Sequence, residues 1–237
     1  MPIVTQALVA VGGRATRMTR LHATVKAFEY LGSQSALHLT LIGMKRSGIR
    51  QIVLAIDNPG LTEDIKLVAT EAGFTEGQIS IIHDRELGVT GLPFVAERLL
   101  ADSFIFDASH SALPAAIYSE LIALHQSSSR AVTTGVARVA GNNSRHILSP
   151  KELKNCPVVE SQTWQGDVHT TVCAALPMVL ARRHLMALVA SRYNIGNYIE
   201  SLAQSAELAI LLSGWPPEFD TDEELLKVRV LNSISTA

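Results

Sequence analysis

Apolar and polar positions along the first 140 residues alternate between two periods. Residues 3 to 11, IVTQALVAV, form a β-branched apolar run that ends at glycines and predicts a buried strand. SALHLTLIGMKRSGI then sets Ala36, Leu37, Leu39, Leu41, Ile42 and Met44 at mostly helical spacing, with Gly48 as the stop. QIVLAI reads as the next strand. LTEDIKLVATEAGF reads as a helix with Thr62 as N-cap and acids in its first turn. QISII, SFIFDA and AVTTGVARV continue the strands, and LPFVAERLL and ALPAAIYSELIALHQSS the helices. Regular strand–helix alternation is the mark of an α/β protein, a mostly parallel sheet covered on both faces.

The rhythm fails over 141–175. GNNSRHILSP reads as a loop, and PVVESQTWQGDVHTTVCAAL as irregular short strands. Helical signal returns at Pro177 to Leu188 and at Ile195 to Leu212, and GWPPEFDTDEELLKVRVLN reads as a turn feeding a last helix. No repeat or linker interrupts the chain, so one domain over 1–237 is expected.

Composition narrows the classes. The 237 residues are 47% apolar, enough for a substantial core, and the net charge is −2. That charge gives nucleic acid no bulk attraction, so no nucleic-acid partner is expected. The apolar stretch around Val172 to Ala190 is cut by Arg182, Arg183 and His184, which argues against a membrane span. The two cysteines, Cys156 and Cys173, lie far apart, and no basic n-region precedes an apolar core at the N-terminus. Both features fit a reducing cytoplasm. The apolar helices after Pro177 leave a homo-oligomer interface open as an alternative to core.

Local charge is more informative. VAVGGRATRMTRLHATVKAF carries Arg14, Arg17, Arg20 and Lys26, and no Asp or Glu precedes Glu29. Glycines let a ligand approach the backbone, and turn amides after a strand bind anions. Arg17 offers a bidentate clamp for phosphate, Lys26 a mobile point charge. The alternative is a solvated basic loop. Neither a Walker pattern nor Gly-x-Gly-x-x-Gly is present.

This stretch resembles the sugar-phosphate nucleotidylyltransferases and their cytidylyltransferase relatives, whose signature runs Gly-Gly-x-Gly-Thr-Arg-Leu/Met and, further on, Pro-Lys-x-Leu. Gly12, Gly13, Thr16, Arg17, Met18, Lys26 and Phe28 fit that pattern, whereas Ala15 replaces a glycine and Val25 a proline. GVTGLPFVAERLL is similar to the family's base-cradling Gly-Thr-Ala-Gly segment, FIFDAS to the strand ending in a metal-binding aspartate, VVES to a sugar-side glutamate, and WPPEFDTDEELLKVRVL to the closing acidic element. The resemblance implies a Rossmann-like three-layer α/β/α fold with a mixed, mostly parallel sheet, the nucleotide-diphospho-sugar transferase fold. Residues 1–140 would be the nucleotide-binding half, and 141–237 the acceptor-binding half with the closing helices.

It also implies a chemistry, in which an NTP and a phosphorylated small-molecule acceptor react with Mg²⁺ to release pyrophosphate. Arg17 and Lys26 would be catalytic. Gly12, Gly13, Arg14, Ala15 and Thr16 would hold the triphosphate, with Gly88, Thr90 and Gly91 at the nucleotide base. Asp107, Glu218 and Asp220 would hold the metal in the cytidylyltransferase-type register, whereas a sugar-type register would put Ser109 in place of Asp107, and Glu160 and Lys154 would meet the acceptor. Glu218 and Asp220 read equally as helix caps, Glu160 and Lys154 as surface charges, and Trp164 as core. Two alternatives stand beside catalysis: a catalytically degenerate nucleotide-binding relative with a regulatory or scaffold role, and an NDP-sugar-using glycosyltransferase. The second lacks an Asp-x-Asp pair at a strand end. His110 between Ser109 and Ser111 invites a hydrolase reading, but no Gly-x-Ser-x-Gly elbow occurs, and the histidines show no metal spacing.

Overall fold

The computed structural model describes residues 3–12, 25–83, 89–137, 146–148, 150–162, 164, 172–191, 194–215 and 225–230. The strands are β1 Gln6–Val11, β2 Tyr30–Leu31, β3 Gln34–Ser35, β4 Gln51–Ile56, β5 Ile79–His83, β6 Ser103–Ala108, β7 Ala131–Ala137, β8 His146–Ile147, β9 Val158–Glu160, β10 Val172–Ala181 and β11 Leu208–Leu212. The helices are α1 Ala36–Arg46, α2 Thr62–Glu71, α3 Leu92–Val95, α4 Ala115–Ser128, α5 Pro150–Asn155, α6 Leu185–Ala190 and α7 Ile195–Gln204. A further helical segment runs over 225–230.

Nine strands form one sheet in the order β5-β4-β1-β6-β10-β7-β11-β9, with β8 on β10. The β10 strand is antiparallel to its neighbours β6, β7 and β8, while every other pairing is parallel. Central strands buried on both faces need continuous apolar sequence, and β1 and β6 are buried at every position. Odd residues of β1 (Ala7, Val9, Val11) join Leu37, Leu41 and Met44 of α1, Ile65 of α2 and Ile117 of α4 in one cluster. Even residues (Leu8, Ala10) join Leu92 of α3, Leu185 of α6 and Tyr198 of α7 in the other. The period-2 pattern of the strands thus becomes two apolar layers, each worth roughly 1.5–3 kcal/mol per large buried side chain.

Gly48 has φ +99°, beyond the L-residue range, and ends α1 as the sequence predicts. Gly43 has a different task. A Cβ there would fall on the Leu113 carbonyl oxygen and 2.9 Å from Tyr118 Cε2, so glycine lets α1 press against the β6–α4 connection.

Four expectations are corrected. Thr62 does not cap α2: a 3₁₀ turn at Pro59–Leu61 leads in, Asn58 accepts from the Gly60 N–H (3.0 Å), and Thr62 donates back to the Pro59 carbonyl (2.7 Å). The apolar run around Pro177 belongs to β10, and helix appears only from Leu185. A central strand tolerates Pro177 because the β7–β10 register shifts between Ala175 and Met178. Helix α7 stops at Gln204, Ala206 takes φ +58°, and LAILL becomes the buried strand β11. The segment PKELKN, expected inside an irregular region, is helix α5.

Candidate functional site

The carboxyl ends of the parallel strands share one edge of the sheet, the edge where ligands sit in open α/β sheets. Gly12 leaves β1 there. A Cβ on Gly12 would lie 2.9 Å from both Cγ and Oδ2 of Asp57, the residue that follows neighbouring β4. Glycine is what allows Asp57 to stand against this turn. Gly13, Arg14, Ala15, Thr16 and Arg17 lie outside the described residues.

Lys26 opens a 3₁₀ turn, Lys26–Phe28, and is 6% exposed. The Glu29 N–H donates to the Lys26 carbonyl (3.1 Å), and the Ala36 N–H donates to the Glu29 carbonyl (2.8 Å), which ties the turn to the start of α1. The Glu29 carboxylate is fully buried and meets Arg229 Nη2 at 2.5 Å. Arg229 comes from the helical segment over 225–230.

Asp107, the penultimate residue of β6, lies on the α1/α4 side and is 0% exposed. It pairs opposite Val9, three residues short of Gly12, or ~10 Å along the strand. Its Oδ1 accepts from the Ala108 N–H (2.7 Å) and from the Ser111 hydroxyl, and its Oδ2 from the Tyr118 hydroxyl (2.6 Å). Burial, then the charge of Asp107 and the bond to it, push Tyr118 well above its ordinary pKa. The Ser109 N–H bonds the Ala10 carbonyl (2.9 Å), so the backbone at Ser109, not the side chain of Asp107, carries β6 toward the edge. Ser109 Oγ is buried with no hydrogen-bond partner among the described residues. Thr40 Oγ1 accepts from the Ala112 N–H (2.8 Å) and donates to the Ala36 carbonyl (2.9 Å), which clasps this turn to α1.

The 3₁₀ turn Val89–Gly91 brings Thr90 and buried Gly91 to the start of α3. Leu92 shares a cluster with Ala10, Ala55 and Ala108, so this turn joins the same edge from the opposite face. Glu160 is exposed at the end of β9, on this edge but four strand spacings from β6, roughly 19 Å away. Lys154 is exposed on α5. Gly12 therefore follows β1, the Asp107 turn lies on neighbouring β6 and the Gly91 turn packs from the opposite face, whereas Glu160 lies four strands from β6. Gly88, Glu218 and Asp220 lie outside the described residues.

The described residues do not fit a metal held by Asp107. Its carboxylate is enclosed, with both oxygens accepting protein donors, whereas Mg²⁺ sites keep waters and open carboxylate oxygens. No group of three His, Cys, Asp or Glu residues suited to a metal occurs among the described residues. Sequence reasoning passed over Asp57, Tyr118, Glu29 and Arg229. Asp57 carried a signal, an acid just past a strand beside β1, and so did Glu29, the first carboxylate after a cationic stretch.

At the amino edge, Ala181 N–H donates to His184 Nδ1 (3.1 Å), so the His184 proton sits on Nε2 and faces Glu207 (3.3 Å). Burial, then the nearby Arg183 charge, bring His184 down to about 4. A cavity of about 250 Å³ opens here between Ser103, His125, Ser129, Ala181, Arg182 and Arg183.

A nine-stranded, mostly parallel sheet with one reversed strand between two apolar layers is a Rossmann-like α/β fold. The chain is similar in structure to a UTP-bound UGPase from Acinetobacter baumannii, with TM-score 0.62 and 15% identity over 98% of this chain and 94% of that one. Likeness at that identity speaks for the fold. No protein-family model matches the chain, and no curated protein matches it in sequence. No helix among the described residues is long and apolar enough to cross a membrane.

Proposed function

We propose that the chain is a nucleotidylyltransferase that binds an NTP at the carboxyl edge of β1 and β6 and transfers its NMP to a phosphorylated small molecule. What supports this reading is a fold shared almost end to end with a UTP-bound UGPase, combined with Gly12 at the end of β1, a buried Lys26 and the cation-rich sequence that joins them. An oxygen of the acceptor phosphate bonds the α-phosphorus while the bond to pyrophosphate breaks. Charge gathers on the non-bridging oxygens and the leaving group, where fixed cations act most strongly. Arg17 is assigned to the α-phosphate and Lys26 to a phosphate of the NTP or acceptor. Gly13 to Thr16 are assigned to the triphosphate, and Gly88 to Gly91 to the base. Glu218 and Asp220 would hold Mg²⁺, which would neutralise charge on the triphosphate. Asp107 is assigned to shaping the turn. Glu160 and Lys154 are assigned to the acceptor half.

The test is pyrophosphate release from an NTP panel, with UTP first, against phosphorylated sugars and alcohols, with EDTA as control. The expected result is release by at least one pair, lowered about a hundredfold by Arg17→Ala, as loss of a transition-state contact does. No release from any pair, with binding intact, supports a second reading, a nucleotide-binding relative without catalysis. The enclosed Asp107 carboxylate is the observation that favours it.

A further inference from the structure

The helical segment over 225–230 touches both halves of the candidate site. Its Leu225 and Val228 are 1% and 0% exposed and share a cluster with Leu31, Ala36 and Ala112. Leu31 follows the Lys26 turn, and Ala112 closes the Asp107 turn. Arg229, on the same segment, reaches the fully buried carboxylate of Glu29, and Glu29 N–H holds the Lys26 carbonyl. Two hundred residues separate Arg229 from Glu29, so this contact forms only when the 225–230 helix docks.

From this seating we infer that the 225–230 helix is a latch that positions Lys26, with Glu29 and Arg229 as its positioning residues. This deepens the nucleotide reading and rests on it only for what Lys26 grips. The physical logic is local. A buried carboxylate keeps its charge only while cationic and hydrogen-bonding partners surround it. Withdrawing the guanidinium weakens the hold on the Glu29 carboxylate, and the backbone bond from Glu29 to Lys26 loosens with it. The Lys26 ammonium stem, nearly enclosed when the helix is docked, then opens to solvent.

The test needs no ligand. Full-length protein is treated with an amine-acylating reagent, and mass spectrometry follows acylation of Lys26 against exposed Lys66 as internal control. In Arg229→Met, Lys26 is expected to react at least about tenfold faster relative to Lys66, the signature of a local opening, and Arg229→Lys is expected to recover protection in part. Unchanged Lys26 reactivity in folded Arg229→Met overturns the latch. Should Arg229→Met fail to fold, Glu29→Gln/Arg229→Met, which removes the buried carboxylate together with its guanidinium, takes its place under the same two outcomes. Equilibrium binding of UTP and the other NTPs to the unaltered protein is measured alongside. Faster labelling with no NTP bound sinks the nucleotide reading and keeps the latch. NTP binding with unchanged labelling does the reverse.

Discussion

Helix α4 covers β6 from end to end, and its two ends are sealed by different chemistry. In its last turn His125 donates from Nδ1 to the Arg130 carbonyl (2.5 Å) and accepts the Ser103 hydroxyl on Nε2 (3.1 Å). Burial lowers the pKa of His125, opposed by the bond to Arg130, so this seal is neutral. In the first turn Tyr118 donates to a fully buried carboxylate, Asp107. A neutral pair joins helix to strand at one end, so the fold itself does not demand a buried charge at the other. Burying a carboxylate costs several kcal/mol before its partners offset it. Yet Asp107, Glu29 with Arg229, and nearly enclosed Lys26 all collect at the carboxyl end, and Asp57 stands at the same edge. The charges around the amino-edge cavity instead balance locally, Arg183 lying 3.5 Å from Glu207. Stability is met by neutral contacts, and charge concentrates where a phosphate-bearing ligand is proposed.

The comparison predicts unequal sensitivity along one strand. Asp107→Ala orphans the Ala108 N–H and the Tyr118 hydroxyl in the interior, while Ser111 keeps the Ala108 carbonyl (3.2 Å), and should lower unfolding free energy in urea by about 4 kcal/mol, whereas Ser103→Ala removes one donor to a neutral ring and should cost about 1 kcal/mol. Equal losses would erase the distinction between the two ends. The amino edge should carry a smaller, pH-gated effect. His184 titrates near 4 in the folded chain and near 6.5 when unfolded, so the unfolded chain binds more protons between these values. Stability is present above about pH 6.5 and is lost as pH falls toward 4, by about 2 kcal/mol between pH 7 and pH 5. Urea titrations of His184→Gln should flatten that slope, and an unchanged slope would remove His184 from the account.

Much of the first half could be read from sequence because each element there is self-sufficient. QIVLAI and SFIFDA are bounded apolar runs and become β4 and β6 with the expected limits. The second half resisted for a physical reason. Val172–Ala181 and LAILL are apolar on both faces, and a doubly buried strand has no period that separates it from a buried helix. A proline inside β10 and a helix running directly into β11 strengthened the wrong reading. At the candidate site, Gly12 and Lys26 could be singled out from sequence because the signal that marks them is local. The role of Asp107 was not, since it depends on Tyr118 and Ser111 arriving from α4 and the connecting turn. The Glu29–Arg229 pair spans nearly the whole chain and leaves no local trace.

The central claim is that the carboxyl edge of β1 and β6 holds a nucleoside triphosphate. A thermal melt across the NTP panel with Mg²⁺ tests it most directly. At a hundred times its Kd, a nucleotide that binds only the folded chain adds about 2.7 kcal/mol, which for a chain of this size raises Tm by roughly 5–10 °C. The account predicts such a rise for at least one NTP, weakened in Arg17→Ala. No rise with any NTP up to millimolar concentration would contradict it.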